Sequence, residues 1–161
     1  MKIRRLPVSL VAIGGAAAAF ALVATAGTTD TKQRIAIVEK ASISGGKSTF
    51  ELVPLTPGPL KHDKGTLVPG GTFTGYITRN GLHIQVGDGA DDLTGKLGTF
   101  RLTAHIEHVP IVGGYYVDSG TWSLSAGTGV YVGVSGGGRF VAVVLPSGRL
   151  LSRQEGFVRA S

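Results

Sequence analysis

Cysteine is absent from all 161 residues. That excludes disulfides, thiolate nucleophiles and cysteine-ligated zinc together, so closure of the fold itself has to supply the stability. Basic runs are missing as well. The formal net charge is +6, but Lys2, Arg4 and Arg5 fall in a segment expected to be removed, which leaves about +3 and no basic helix to enter a groove. Nucleic acid is therefore not expected as a partner. No G-x-S-x-G, H-E-x-x-H or phosphate-loop pattern occurs, and the glycines at 133–138 open onto a strand, offering no helix N-terminus to an anion. Ser, His and acid residues all occur, but no local motif ties them into a hydrolytic set. Helical periodicity is lacking after residue 26, and the absence of a three-residue glycine period excludes collagen.

What the chain does have is glycine, 26 residues of 161, about twice the usual share of roughly 7%. With valines and aromatics between them, these favour many short strands in one domain. Residues 1–26 have a basic start, an apolar middle and small residues at Ala24 and Ala26, the layout of a secretory signal. A retained anchor is the alternative, although the alanine-rich run is only mildly hydrophobic. With no cysteine after the run, a lipid anchor is excluded. The predicted organisation is signal peptide 1–26, linker 27–46 and β-barrel domain 47–161, in an extracellular protein with no stable membrane anchor after cleavage. Within the linker, Ile35-Ala36-Ile37-Val38 could form one added strand.

Strand signals begin at Phe50 and Leu52 and are ended by Pro54, Pro57, Gly58 and Pro59. Residues 60–71 read as a loop whose Lys61-His62-Asp63-Lys64 is solvated. Asn80-Gly81 is a strong hairpin signal between strands at 71–79 and 82–86, with Leu82, Ile84 and Val86 on one face and His83 and Gln85 on the other. An acidic loop, 87–92, precedes the longest strand, 99–109, and Gly113-Gly114 turns the chain into 115–125. The centre of the pattern is 120–140. It reads as strand, Ala126-Gly127-Thr128-Gly129 turn, a strand through Val130, Val132 and Val134, a Ser135-Gly136-Gly137-Gly138 turn, then strands 139–145 and 150–158. The predicted fold is all-β, an antiparallel up-and-down barrel of about eight strands, with a sandwich as the alternative.

In a small barrel the apolar face points inward, which sends Arg101, His105 and Glu107 outward and makes their His-x-Glu pattern a solvated face with no metal site. Polar residues that share an apolar face are better candidates, because a buried charge is costly unless paired or used. Asp118 shares its face with Tyr116, Trp122 and Leu124. Arg153 and Glu155 share theirs with Leu151 and Phe157, and Arg139 with Val141, Val143 and Leu145. The candidate lumen set is thus Tyr116, Asp118, Trp122, Arg139, Arg153 and Glu155, with a structural ion pair at the barrel mouth as the competing account of the charges. Asp88, Asp91 and Asp92 match no known calcium-loop spacing.

Gly127-Thr128-Gly129, Tyr131, Gly133 and Gly136, with Gly95-Lys96-Leu97-Gly98-Thr99-Phe100 before them, resemble the allene oxide cyclase and dirigent barrels, in the form of secreted actinobacterial members. These are turn motifs, covering roughly the last two thirds of the chain, and they specify backbone geometry without chemistry. The resemblance implies an eight-stranded barrel whose lumen takes apolar, oxygenated small molecules. Some members cyclise such molecules without a cofactor, others steer radical coupling, and dirigent members imply a homo-oligomer. No catalytic residue of the family carries over. Three functions follow as expectations: a secreted barrel binding a small apolar ligand, a cofactor-free isomerase or cyclase with Asp118 or Glu155 as acid or base, or a structural, self-associating envelope protein with a filled lumen.

Overall fold

The computed structural model describes residues 32–43 and 45–160, so the expected signal segment lies outside the described residues. Side chains at Gln33, Ile35, Ile37, Glu39 and Ala41 form a buried row on β1 (Gln33–Ser42). The period of two that produces such a row is also what makes the segment a strand. This corrects the linker assignment over 33–42. The run Ile35–Val38 belongs to a full stave, paired with β2 (Thr49–Pro54) on one side and β9 (Arg149–Ala160) on the other.

The remaining strands are β3 (Asp63–Val68), β4 (Gly71–Arg79), β5 (Leu82–Gly95), β6 (Thr99–Ile111), β7 (Tyr115–Ser125) and β8 (Val134–Val144). All neighbours are antiparallel, in the order β3-β2-β1-β9-β8-β7-β6-β5-β4, and β3 pairs with β5 to close the ring. β3 and β4 keep one register along β5, from Gly65↔Gly95 to Phe73↔Gly87. They are one stave interrupted at Pro69-Gly70, so the nine strands make an eight-stave, up-and-down barrel. The interruption stays bonded: Ala90 N donates to Gly70 O at 2.9 Å, and Gly70 N donates to Asp91 Oδ1 at 3.1 Å.

Several turns fall where the sequence puts them. Asn80 and Gly81 have φ of 53° and 78° and join Arg79 to Leu82 as a two-residue hairpin. Gly113 and Gly114 also have positive φ and connect β6 to β7. Other assignments change. Residues 63–68 and 87–92, expected as loops, are strand. Gly136-Gly137-Gly138 is strand rather than turn, because a Cβ on Gly136 or Gly138 would strike the backbone oxygen of Phe157 or Glu155 on β9. The expected strand through Val130, Val132 and Val134 is instead a loop with a 3-10 turn, Gly129–Tyr131, followed by β8 from Val134. There Val130 and Val132 face solvent while Tyr131 is buried completely.

Tyr131 explains why that loop exists. It seals one end of the barrel, its ring 4.4 Å from that of Phe100, which meets Phe50 edge-on at 5.5 Å. The Tyr131 hydroxyl donates to Asp63 Oδ2 at 2.9 Å. Burial would raise the Asp63 carboxyl, but the bonds from Tyr131 and from the backbone N–H groups of Leu97, Lys96 and Lys64 outweigh it and hold the group below its ordinary range. The Lys61-His62-Asp63-Lys64 stretch is thus not uniformly solvated: Asp63 points into the floor. Beside it, the buried Gln33 amide donates to Thr56 O and Leu60 O, and Leu60 N donates back to Gln33 Oε1 at 2.9 Å. That clamp folds the β2–β3 connection under the barrel. Among the described residues no helix is long and apolar enough to cross a membrane.

Candidate functional site

The sealed end and the open end of the barrel differ in what fills them. Below the level of Trp122 the interior is solid with Phe50, Leu52, Leu93, Phe100 and Tyr131. Above it the side chains shrink or turn polar, and a cavity of about 520 Å³ remains, within the range of small-molecule sites. Trp122 forms its floor. The indole lies opposite Gly138, which in turn pairs with Gly156, and its Nε1 donates to Arg139 O at 3.1 Å and Glu155 O at 3.3 Å. Two strands without side chains at this level leave room for the ring and expose carbonyls to it.

Three carboxyl groups reach the cavity. Glu39 is 3% exposed, and its Oε2 accepts from the Ser152 hydroxyl at 3.3 Å. Gln154 Nε2 donates to the same hydroxyl at 2.7 Å. Burial, reinforced by the Asp91 carboxylate, pushes Glu39 up to about 7, with the Gln154 and Ser152 bonds offsetting only part of the rise. Asp91 is raised chiefly by burial, against the lowering effect of Gly70 N–H. Asp118 is also raised by burial, partly offset by His108, whose Nδ1 is 2.5 Å from Asp118 Oδ1. His108 is held between Tyr116, stacked at 4.2 Å, and Phe73 at 4.9 Å.

Two buried oxygens, Glu39 Oε1 and Gln154 Oε1, have no hydrogen-bond partner. Such groups each cost about 1–3 kcal/mol and call for an explanation. Both belong to side chains that line the cavity.

The expected site residues divide. Asp118 and Trp122 line the cavity, and Tyr116, on the same face of β7, stacks on His108 of β6. Arg139, Arg153 and Glu155 do not enter it. Arg153 bonds Glu155 at 2.7 Å and Arg34 bonds Glu155 at 2.8 Å, all on the outer wall, and Arg139 is exposed beside them. The inside and outside faces of β8 and β9 are thus the reverse of the expectation. The parity argument sent the bulky Val141, Val143, Leu151 and Phe157 inward, but all four are exposed; the lumen takes Phe140, Ala142, Ser152 and Gln154. Arg153 and Glu155 do form the expected structural ion pair, on the wall and not at the mouth.

On β6 the expectation holds. Arg101, His105 and Glu107 project outward and pair with Asp92, Asp88 and Arg79 at 2.7, 3.1 and 2.9 Å. Asp88 and Asp92 are therefore separated from Asp91 by the thickness of the wall. Gln85 reverses: it sits opposite His108, on the face that continues into the lumen, and donates to the Tyr76 hydroxyl at 2.9 Å. Glu39, Asp91, His108, Ser152 and Gln154 are the functional candidates that parity missed. For Glu39 the signal was available, as an acid in phase with Ile35, Ile37 and Ala41.

Comparison of the chain with family models, with curated proteins and with solved structures gives no match.

Proposed function

We propose that the protein is a secreted barrel that binds one small, largely apolar molecule with a polar head in its lumen. The observation that carries this is a cavity of about 520 Å³ lined by Glu39 and Gln154, two side chains that each keep a buried, unpartnered oxygen. A barrel kept only as a structural envelope piece would gain from filling that space with apolar side chains, which are nearly free of such costs. Trp122, Leu102, Ile106 and Phe140 supply the apolar wall. Kinship with the allene oxide cyclase and dirigent barrels belongs to the same proposal, resting on the sequence motifs at 95–100 and 127–136 and on the closed eight-stave ring.

A second reading, cofactor-free isomerisation or cyclisation, is favoured by one feature. Glu39, with its carboxyl near 7, is divided between acid and base at neutral pH, as a proton-transfer group has to be. The sequence had assigned that role to Asp118 or Glu155. Asp118 retains a place in the cavity, whereas Glu155 is bound by two arginines on the outer wall.

The test of binding is titration with a neutral environment-sensitive dye such as Nile red, followed through the emission of Trp122, the single tryptophan. Saturable binding at one site is expected, and Ala142→Leu, which fills the cavity, should weaken it at least tenfold. No binding to folded wild-type protein would reject an open lumen. For catalysis the check is the Glu39 carboxyl by NMR titration: a value near the ordinary 4.5 would remove the basis for proton transfer.

A further inference from the structure

The chain is basic, at +6, while its cavity is acidic. The charged residues lining the cavity are Glu39, Asp91 and Asp118, and no lysine or arginine is among the described lining residues. Asp118 already has His108 as its partner. Glu39 and Asp91 face one another's charge, with Ser152 and Gln154 as donors to Glu39 and the Gly70 N–H as donor to Asp91. The lining's two unpartnered atoms, on side chains 3% and 5% exposed, are the oxygens Glu39 Oε1 and Gln154 Oε1. What this cavity is short of is donors and positive charge.

Building on the proposed lumen-binding role, we infer that the guest is an amphiphile with an apolar body and a protonated amine head, the head seated against Glu39, Asp91 and Gln154. An ammonium carries three donors and no acceptor, so it suits a lining rich in acceptors while offsetting two carboxylates. An alcohol brings one donor and no charge. A carboxylate head would place a further negative group among three acids, which acts as a filter against fatty acids.

Uptake of a cation is tied to the ionisation of Glu39. The groups that act on Glu39 are Asp91 on β5 and Ser152 and Gln154 on β9; β7 brings Asp118, paired with His108 of β6, to the same cavity, while β2 presents Phe50 and β8 Ala142. An alkylamine, with a pKa of about 10.4 by analogy with lysine, stays charged throughout the relevant range. Binding therefore strengthens as Glu39 ionises, that is, as pH rises through about 7.

The experiment compares octylamine, 1-octanol and octanoate, each titrated below its micelle concentration into the full folded chain with Trp122 emission as the readout. At pH 8 octylamine is expected to bind at least ten times more tightly than 1-octanol, with octanoate weakest, and the amine advantage should shrink severalfold at pH 5.5. Glu39→Gln should abolish the advantage of octylamine over 1-octanol measured on the same variant. If that variant fails to fold, Asp91→Asn substitutes for it, with an expected loss of at least threefold for octylamine alone. Equal affinity of amine and alcohol, or preference for octanoate, would overturn the amine assignment and leave lumen binding standing. No response to any of the three, nor to the neutral dye, would overturn both.

Discussion

Ionising Glu39 inside the barrel should make the protein less stable as pH rises, and the size of the effect follows from its surroundings. In the unfolded chain the group titrates near its ordinary 4.5, and in the folded protein near 7. Below the first value both states hold the proton and Glu39 imposes no penalty. Between the two, the unfolded state releases the proton while the folded state keeps it, so stability falls with pH and levels off above the folded value. A gap of that width at 1.36 kcal/mol per pH unit corresponds to about 3 kcal/mol. Asp91 and Asp118 are raised and act in the same direction, whereas Asp63 is lowered and loses stability as pH falls. The contribution of Glu39 is isolated by subtraction: urea midpoints of wild type and Glu39→Gln are measured from pH 4 to 8.5. With a denaturant slope of about 2 kcal/mol per molar, wild type should lose about 1.5 M of midpoint relative to the variant across that range. Parallel curves for the two proteins would refute the burial argument, and with it the account of Glu39 as the titrating group of the lumen.

Gly81→Val should cost about 1–3 kcal/mol, because a β-branched residue is strained at a φ of 78°; an unchanged denaturant midpoint would contradict the hairpin. Trp122→Ala should cost roughly 3–5 kcal/mol as a core truncation, and the native indole, 4% exposed, should resist quenching by aqueous iodide. Strong quenching would mean that the floor of the cavity is wrongly drawn. The mature protein is expected to begin at or near Gly27 when exported, as intact mass of culture supernatant will show; full-length chain confined to the membrane fraction would replace secretion by an anchor.

Much of the architecture was legible because turns leave chemical marks. Asn80-Gly81 and Gly113-Gly114 each appear where their residues indicate. Glycine was misread where its role was proximity rather than bending. Gly136 and Gly138 sit mid-strand because neighbouring backbone leaves no space for a Cβ, and nothing local distinguishes that use from a turn. The inward faces of β6 and β7 could be recovered, since Phe100, Leu102, Trp122 and Leu124 are larger and less polar than their alternates. On β8 and β9 the same test failed for a physical reason. The lumen there must accommodate the Trp122 ring and a cavity, so beside that ring it selects Gly, Ala, Ser and Gln, while the bulkier Val141, Val143, Leu151 and Phe157 remain outside. The residues that matter most to the site were hidden by that inversion and by the reading of β1 as linker.

Barrel closure has a consequence for how the chain reaches this shape. The strand that completes the ring, β1, is made first and its partner β9 last, with Gln33 lying opposite Val158. All other neighbours on the β5-to-β9 side are joined by short connections and can zip in order of synthesis, but the final seam spans nearly the whole described chain. Loop-closure entropy therefore weighs most heavily on the last step. Until it is taken, Ile35 and Ile37 lie on an open edge, a surface that favours pairing with another copy. The β1–β9 seam is thus where a slow folding phase and domain exchange between molecules would both originate.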